Sequence, residues 1–281
     1  MRREWIERYS RQILLPEIGY SGQKRLEKAR VLVIGVGGLG GPAAAYLTGA
    51  GIGTLCLVGD GVVERSNLHR QVVFTEAELG KPKVEVLAKR LSALNPDVTV
   101  RPLATRLTAK NARTLVSEFD FVLDGTDNFA TRYIINDACY FEQKPWVYAS
   151  VYRTYGQLTV FHPPRSPCYR CLLPSVPATA VPDCARAGVV GPLPGILGLL
   201  QATEVIKATA GFGDIALGFL LNFDLATLTF RRLAVKRNPA CKLCGHSPTI
   251  TDVSEEAVQA CLSDTHRTPS PSTETAPPSP E

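Results

Sequence analysis

Short apolar runs alternate with longer amphipathic stretches along the first two-thirds of the chain. The runs are rich in β-branched residues and have the length of buried strands, whereas the stretches between them carry apolar residues at helical spacing. Alternation of strand and helix at this rhythm predicts a mostly parallel sheet covered by helices, a Rossmann-like, doubly wound α/β fold. The predicted strands are residues 30–36, 54–58, 98–103, 121–124 and 146–150, and the predicted helices are residues 38–51, 82–94 and 129–141.

The pattern of apolar positions changes after the fifth predicted strand. Apolar runs over residues 158–161, 217–223 and 228–233 predict a C-terminal antiparallel extension of the sheet. Residues 172–192 are rich in Pro, Ala and Val without a clear period, so we expect a loop there. A helix resumes over residues 195–210.

We expect a single folded domain over residues 1–261, which begins with a helical segment over residues 1–29. The remaining residues, 262–281, are rich in Pro, Ser and Thr and lack apolar anchors. This composition predicts a disordered tail, because such a segment cannot bury enough apolar surface to fold.

Composition and charge exclude several classes of protein. The 281 residues are 45% hydrophobic, enough for a large core, and the net charge of +5 is spread out without a run of Lys and Arg suited to nucleic acid. No apolar run approaches the roughly 18 residues that a membrane helix needs, and the charged N-terminus lacks the apolar core of a signal peptide. We therefore expect a cytoplasmic protein that binds neither nucleic acid nor a membrane.

A glycine-rich stretch lies between the first predicted strand and the first predicted helix. It contains Gly35, Gly37, Gly38 and Gly40. In this context backbone N–H groups and the helix dipole point at a phosphate, so the pattern predicts a Rossmann-type nucleotide site. The alternative is a structural tight turn, and the pattern alone does not choose between NAD and ATP.

Polar and cationic residues follow the second predicted strand. A nicotinamide enzyme needs no such group there, because the glycine loop already holds its pyrophosphate. A triphosphate attacked at its α-phosphate does need it, since negative charge grows on the bridging oxygens. These residues therefore favour ATP. The segment SNLHRQ comprises Ser66, Asn67, Leu68, His69, Arg70 and Gln71, and the segment GKPK ends in Lys83.

The fourth predicted strand runs into the segment DGTDN. Asp127 and Asn128 follow this strand at the edge of the sheet where the glycine loop also lies. A carboxylate at that edge, facing the cations, is a natural Mg²⁺ ligand. Asp127 could instead, or in addition, cap the helix that begins at Phe129.

Eight cysteines in a chain without an export signal should be free thiols or metal ligands. Four of them form two Cys-x-x-Cys pairs, which have the ligand number and type of a tetrahedral structural zinc site. Thioredoxin-like redox chemistry is the alternative for either pair alone, and the presence of two pairs argues against it. The predicted zinc ligands are Cys168, Cys171, Cys241 and Cys244, whereas Cys56 and Cys139 are expected in the core.

Together these segments resemble those of the activating-enzyme superfamily. The similarity is to the short bacterial adenylyltransferases of the ThiF, MoeB and HesA type, which activate ubiquitin-like sulfur carriers for molybdopterin and thiamin-thiazole synthesis. It extends from residue 8 to residue 245. The matched segments, in the family's order, are RYSRQ, GVGGLG, SNLHRQ, GKPK, DGTDN, GQLTVF, CYRC, LQATEVIK and CKLC.

The resemblance implies a reaction and roles for these residues. The C-terminal Gly-Gly carboxylate of the carrier attacks the α-phosphate of ATP, which gives an acyl-adenylate and pyrophosphate. By match to the family's segments, Asn67, Arg70 and Lys83 would hold the phosphates. Asp127 would bind Mg²⁺.

Arg11, in the segment RYSRQ, resembles the family's arginine that reaches into the neighbouring subunit's site. The resemblance therefore implies a homodimer with two shared sites. The residues alone would favour a surface salt bridge for Arg11.

The chain departs from the family at the end of the second predicted strand. Members usually carry an acid there and another two residues on, whereas this chain has Gly59 and Gly61. Loss of a carboxylate that accepts two ribose hydroxyls costs on the order of 10- to 100-fold in affinity. In a regular strand the side chain of Asp60 points to the opposite face from those at positions 59 and 61. The flanking glycines allow backbone angles that turn the Asp60 side chain back toward the ribose. We expect ATP binding that is weakened at the ribose and partly restored by Asp60.

Cys184 aligns with a loop cysteine that, in the thiazole branch of the family, can bond covalently to the sulfur carrier. Arg186 nearby could lower the pKa of this thiol, as sulfur transfer requires, and a passive loop cysteine is the alternative. No rhodanese-like segment follows the second cysteine pair, so we expect the sulfur to come from a separate donor protein.

Two other classes of function are alternatives to adenylation. A nicotinamide dehydrogenase shares the glycine loop but leaves SNLHRQ, GKPK and DGTDN unexplained. A catalytically weak or inactive family member would act as a carrier-protein binding module, but it has no physical need for intact phosphate-side residues. Relatives that adenylate a peptide or a modified tRNA base are further alternatives, and the carrier-activating pattern fits better.

Overall fold

The structure is a computed structural model that describes residues 3–176 and 187–263 of the chain. The strands are β1 (Arg30–Ile34), β2 (Thr54–Val58), β3 (Thr99–Leu103), β4 (Phe121–Asp124), β5 (Trp146–Tyr152), β6 (Tyr155–Phe161), β7 (Phe219–Asp224) and β8 (Thr229–Ala234). The α-helices are α1 (Arg3–Ile13), α2 (Gly19–Lys28), α3 (Gly40–Ala50), α4 (Lys83–Leu94), α5 (Ala109–Ser117), α6 (Phe129–Phe141), α7 (Tyr169–Leu172), α8 (Pro192–Ala210) and α9 (Glu255–Ser263).

The strands form one sheet in the order β3-β2-β1-β4-β5-β6-β7-β8. Strands β1 to β5 are parallel, and β1 lies between β2 and β4. The strand order therefore reverses beside β1, and ligands in open parallel sheets bind at the carboxyl ends of the strands at such a point. Strands β6 to β8 continue the sheet in antiparallel pairs. The predicted doubly wound sheet with its antiparallel extension is confirmed.

The sheet is buried on both faces at its centre. Val31 and Val33 of β1 pack on the side of α3 and α8, whereas Leu32 and Ile34 pack on the side of α5 and α6. Because both faces are covered, β1 is a continuous apolar run without alternation. Cys56 and Cys139 are buried in the same core, as expected.

Three helices of the described ranges were not predicted from the apolar pattern, namely the short α7 at the first cysteine pair, α5 and α9. Helix α5 begins after Thr108, whose backbone N–H donates to Asn111 Oδ1 over 2.8 Å in a capping box. Helix α9 follows the second cysteine pair and buries Val258 and Cys261 against α6 and its neighbours. Helical structure therefore extends past the domain boundary expected at residue 261.

Parts of two sequence-based expectations lie outside the described residues. Of the expected loop over residues 172–192, residues 177–186 are among these, and α8 begins at Pro192 rather than at residue 195. Of the expected disordered tail, residues 264–281 are also outside the described part. None of the helices in the described ranges is long and apolar enough to span a membrane.

Candidate active site

The glycine loop forms the turn from β1 into α3. Gly35 adopts a φ of +82°, which favours glycine, and a Cβ on Gly35 would lie 2.8 Å from the carbonyl oxygen of Gly125. A Cβ on Gly40 would lie 1.9 Å from the carbonyl oxygen of Gly35. The glycines therefore let the β1–α3 turn pack directly against the end of β4. This close packing leaves the backbone of the turn facing a cavity.

A cavity of about 540 Å³ lies at the carboxyl ends of β1, β2 and β4, next to the glycine loop. Its size and position suit a nucleotide bound at a topological switch point. The structure brings most of the predicted site residues together in its wall. These are Gly35, Gly37, Gly38, Asp60, Arg70, Gln71, Lys83, Asp127 and Asn128.

Lys83, in the cavity wall, forms a pair with Asn67, which lies outside the wall. Lys83 Nζ donates a hydrogen bond to Asn67 Oδ1 over 2.6 Å, and Asn67 is buried. Burial lowers the pKa of Lys83 from its ordinary value, against the opposing effects of Glu64 and Asp127. Asn67 therefore orients the ammonium group of Lys83, a residue that lines the cavity.

The segment SNLHRQ divides between the cavity and its support. Arg70 lines the cavity, and its Nη1 donates to the carbonyl oxygen of Ser66 over 2.8 Å and lies 2.9 Å from His69 Nε2. Ser66 and His69 are exposed outside the cavity wall, and Leu68 packs against the core. The cavity wall therefore does not include Ser66, Asn67, Leu68 or His69, nor Gly40 of the glycine loop.

Gln71 lies beneath the glycine loop. A Cβ on Gly37 would come within 3.3 Å of Gln71 Nε2, so the two are in close contact. Gln71 Oε1 is buried and has no hydrogen-bond partner in the described part of the chain. A buried acceptor of this kind calls for a donor from water or a bound molecule.

Asp127 is exposed at the cavity wall. Its carboxylate forms no hydrogen bond or salt bridge within the described ranges. Asn128, not Asp127, caps the helix, and its Oδ1 accepts a hydrogen bond from the backbone N–H of Thr131 over 2.9 Å. The alternative reading of Asp127 as an N-cap is therefore wrong. An exposed carboxylate opposite Lys83 and Arg70 fits a divalent cation bound between it and a polyphosphate.

Buried polar contacts fix the backbone that carries Asp127. Asp124 Oδ1 accepts hydrogen bonds from the Thr126 N–H and hydroxyl over 2.9 and 2.6 Å, and Asp124 Oδ2 accepts from Arg132 Nε over 3.3 Å. Burial raises the pKa of Asp124, and the Arg132 guanidinium opposes this effect. Gln201 Nε2 donates to the Asp124 carbonyl over 2.7 Å. The first acid of DGTDN is therefore a structural support, a role that the spacing alone did not reveal.

The end of β2 holds the departure at Gly59. A Cβ on Gly59 would have Val84 Cγ1, at 3.7 Å, as its nearest neighbour, so a Cβ fits there without a clash. Asp60 lies in the cavity wall, and its Oδ2 accepts a hydrogen bond from Arg106 Nε over 2.9 Å. Arg106 was not predicted, because no motif marks the loop between β3 and α5.

Arg11 lies apart from the cavity on the exposed face of α1. Its neighbour Gln12 anchors the helix through a 2.8 Å hydrogen bond to Gln23 Oε1 and a 3.1 Å hydrogen bond to the Ala50 carbonyl. Arg11 forms no salt bridge with any residue of the described ranges. Within one chain, Arg11 therefore has no contact with the candidate site.

A second cavity of about 650 Å³ adjoins the first. The two share Leu39, Thr126, Asp127, Asn128 and Val151 in their walls. The second cavity is lined mainly by aromatic and aliphatic side chains, among them Tyr148 and Tyr155. Its size suits an extended peptide segment, and Asp127 lies where such a segment would meet a nucleotide in the first cavity.

The four predicted zinc ligands converge. All four sulfur atoms lie within 4.8 Å of one another, and individual Sγ–Sγ distances are 3.3, 3.4, 3.6 and 3.9 Å. A tetrahedral zinc with Zn–S bonds of about 2.3 Å would require sulfur atoms about 3.8 Å apart. The residues present therefore fit zinc. The group comprises Cys168, Cys171, Cys241 and Cys244. Cys184 and Arg186 lie outside the described residues.

Comparison with known proteins agrees with the fold and with the family that the sequence resembles. The profile described as "ThiF family" matches residues 9–243. The chain is 47% identical over 253 residues to the sulfur carrier protein adenylyltransferase of Thermus thermophilus, which covers 88% of this chain and 93% of that protein. It is 44% identical over 257 residues to the SAMP-activating enzyme E1 of Haloferax volcanii, which covers 91% of this chain and 95% of that protein.

A crystal structure of E. coli MccB with ATP has the same fold, with a TM-score of 0.75. At 24% sequence identity, with 85% of this chain and 73% of that chain covered, this likeness concerns the fold alone. The family profile covers most of the chain, and the sequence relatives cover it almost from end to end. The chain therefore belongs to the ThiF family.

Proposed function

We propose that this protein uses Mg·ATP to adenylate the C-terminal glycine carboxylate of a small ubiquitin-like sulfur carrier protein. The observation that carries the proposal is the junction of the two cavities at Asp127, opposite Lys83 and Arg70. One cavity has the glycine loop of a nucleotide site, and the other has the apolar wall that an extended peptide needs. The relatives named as a sulfur carrier protein adenylyltransferase and a SAMP-activating enzyme support the same substrate class.

The reaction needs no covalent intermediate on the protein. A carboxylate oxygen of the carrier attacks the α-phosphorus, the bond to the oxygen bridging the α- and β-phosphates breaks, and pyrophosphate leaves with the electron pair. Lys83 and Arg70 stabilise the charge that grows on that bridging oxygen. Asn67 holds the ammonium of Lys83 in place, so the donors are oriented before the reaction.

Two metal ions belong to the proposal. Asp127 would hold Mg²⁺, which when bound would neutralise phosphate charge. The four cysteines of the cluster would hold zinc, which would join the segment around α7 to the segment after β8 and contribute to folding rather than to the reaction. In this proposal, ATP is bound by those predicted nucleotide-binding residues that lie in the wall of the first cavity.

A homodimer completes the proposed site. Arg11 is exposed and lines neither cavity of its own chain, so in this proposal it acts in the site of the partner copy. Mixing an Arg11→Ala chain with an Asp127→Ala chain would then restore part of the activity, because one of the two shared sites in a mixed dimer keeps both residues. Absence of restoration in mixed dimers would contradict the shared site.

Sulfur transfer follows adenylation in the proposal and takes its sulfur from a separate donor protein. Cys184 is the candidate thiol for a covalent step with the carrier. Replacement of Cys184 by alanine would then remove sulfur transfer and leave adenylation intact, whereas a passive cysteine would leave both unchanged. In this proposal the protein activates its carrier with ATP in the cytoplasm.

Equilibrium binding of Mg·ATP and of NAD to the zinc-loaded protein tests the nucleotide choice. We expect micromolar to submillimolar ATP binding, which corresponds to about −5 to −8 kcal/mol, and no binding of NAD. NAD binding alone would overturn the proposal. If the protein binds neither ATP nor NAD, the result would favour the carrier-binding module. That module is the second candidate function, and the glycine at position 59 supports it.

A further inference from the structure

Helix α9 contributes a carboxylate to the nucleotide cavity. Glu255, the first residue of α9, lies in the cavity wall near Thr108 and Ile134, although it follows the cysteine cluster in the sequence. We propose that Glu255 is a nucleotide-binding residue that accepts a hydrogen bond from the nucleoside half of ATP. The donor would be a ribose hydroxyl or the exocyclic amine of adenine. This inference rests on the proposed function, since it requires ATP in the first cavity.

The position of Glu255 corresponds to the nucleoside end of the cavity. The glycine loop marks the phosphate end, and the residue that ends β2 marks the ribose end in nucleotide-binding sheets. Asp60, next to Gly59, is bridged to Arg106 in the loop after β3. That loop leads into α5, whose first backbone N–H donates to Glu255 Oε1 over 3.1 Å. Glu255 therefore belongs to the side of the cavity that faces away from the phosphates.

The carboxylate of Glu255 keeps an acceptor for a ligand. Oε1 is engaged by the N–H of Ala109, whereas Oε2 has no hydrogen-bond partner among the residues that the structure describes. Neutral donors such as hydroxyl and amine groups form strong hydrogen bonds with a charged acceptor. Because the nucleoside end of the cavity lies away from the phosphates, the negative charge of the triphosphate does not repel a carboxylate there.

Helix α9 is held firmly, so Glu255 has a defined place. Val258 and Cys261 are buried against the core. The carbonyl oxygen of Cys261 accepts a hydrogen bond from the Val176 N–H over 2.9 Å, and Arg170 Nη1 donates to Cys261 Sγ over 2.8 Å. Pre-organisation of this kind reduces the entropy lost when a ligand binds. The cavity thus gains from α9 a carboxylate that Gly59 does not supply at β2.

Calorimetric titration of the full-length, zinc-loaded protein with Mg·ATP tests the inference. We expect Glu255→Ala to weaken ATP binding about 5- to 10-fold, since one charge-assisted hydrogen bond is lost at an exposed side chain. Glu255→Gln keeps an acceptor oxygen, so its affinity for ATP is expected to lie between those of the native protein and Glu255→Ala. The matched control is Glu256→Ala, which removes an exposed carboxylate on the same turn that does not line the cavity.

Two ATP analogues identify the group that Glu255 binds. One is 2′,3′-dideoxyATP, and the other is purine riboside triphosphate, which lacks the exocyclic amine. The analogue without the partner group should bind the native protein and Glu255→Ala equally well, whereas the other should repeat the loss seen with ATP. Three results would overturn the inference and leave the proposed function standing. The first is unchanged or tighter ATP binding by Glu255→Ala, and the second is an equal loss of ATP affinity in Glu256→Ala. The third is that Glu255→Ala loses as much affinity for both analogues as it does for ATP. Absence of ATP binding by the native protein would overturn both.

Discussion

Lys83 Nζ donates a hydrogen bond to Asn67 Oδ1 over 2.6 Å, so two segments that lie apart in the sequence act as one unit in the site. Asn67 is buried outside the cavity wall, whereas Lys83 lines the cavity. We therefore regard Lys83 as the group that contacts the triphosphate and Asn67 as the residue that positions it.

The Lys83–Asn67 pair predicts non-additive losses. Lys83→Met should reduce adenylation by about 10²- to 10³-fold, as expected for removal of one preorganised electrostatic group. Asn67→Ala should cost less, and the double variant should be no worse than Lys83→Met, because Asn67 acts through the lysine. The rate of adenylate formation in a double-mutant cycle measures this. Losses that simply add would show that Asn67 binds phosphate independently.

The lowered pKa of Lys83 predicts a pH dependence of ATP binding. The protonated ammonium binds the triphosphate, and burial makes it lose its proton at a pH below the ordinary lysine value of 10.5. Because a bound polyanion favours the charged form, ATP affinity should fall as the pH rises through the pKa of the free protein, by up to about 10-fold per pH unit. Lys83→Arg keeps its charge and should bind ATP with a flatter profile over the same range. An equally steep profile in Lys83→Arg would assign the titration to another group.

Gly59→Asp should tighten ATP binding. A Cβ fits at this position without a clash, and a carboxylate at the end of β2 can accept ribose hydroxyls for a gain of about 10-fold. Asp60→Ala should weaken binding in the native protein and have less effect in the Gly59→Asp background, where the ribose already has an acceptor. Titration calorimetry on the four proteins measures both effects. An unchanged ATP affinity in Asp60→Ala would end the idea that Asp60 restores the ribose contact.

The cysteine cluster predicts one zinc ion per chain and a loss of stability when it is removed. Metal binding that exists only in the folded state adds to the free energy of unfolding. Chelation should therefore lower the melting temperature of the native protein. Cys171→Ser should lose the zinc, whereas Cys56→Ser, which changes a buried thiol outside the cluster, should retain it. Full zinc content in Cys171→Ser would contradict four-cysteine ligation.

The sheet was predictable because its central strands are buried on both faces. Val31 to Ile34 are all apolar for that reason, and the glycine loop that follows can take only the few residues that its close packing permits. The four cysteines were predictable because metal ligation leaves a spacing in the sequence that survives without knowledge of the fold. These parts of the structure depend on local patterns.

The parts of the site that the sequence did not reveal depend on contacts between distant segments. Arg106 reaches Asp60 from the loop after β3, and Glu255 reaches the N–H of Ala109 from the C-terminal helix. Neither residue belongs to a motif, because its role depends on how the helices pack rather than on its neighbours in the chain. For α5, the Thr108–Asn111 capping box was a usable signal.

Isotope exchange between pyrophosphate and ATP tests adenylation most directly. The zinc-loaded protein would be incubated with Mg·ATP, labelled pyrophosphate and a small ubiquitin-like carrier that ends in Gly-Gly, with a carrier lacking these two glycines as control. We predict that label enters ATP only with the intact carrier, and that Asp127→Ala reduces the exchange by about 100-fold or more. No exchange by a native protein that binds both Mg·ATP and the carrier would contradict adenylation and would favour the binding module.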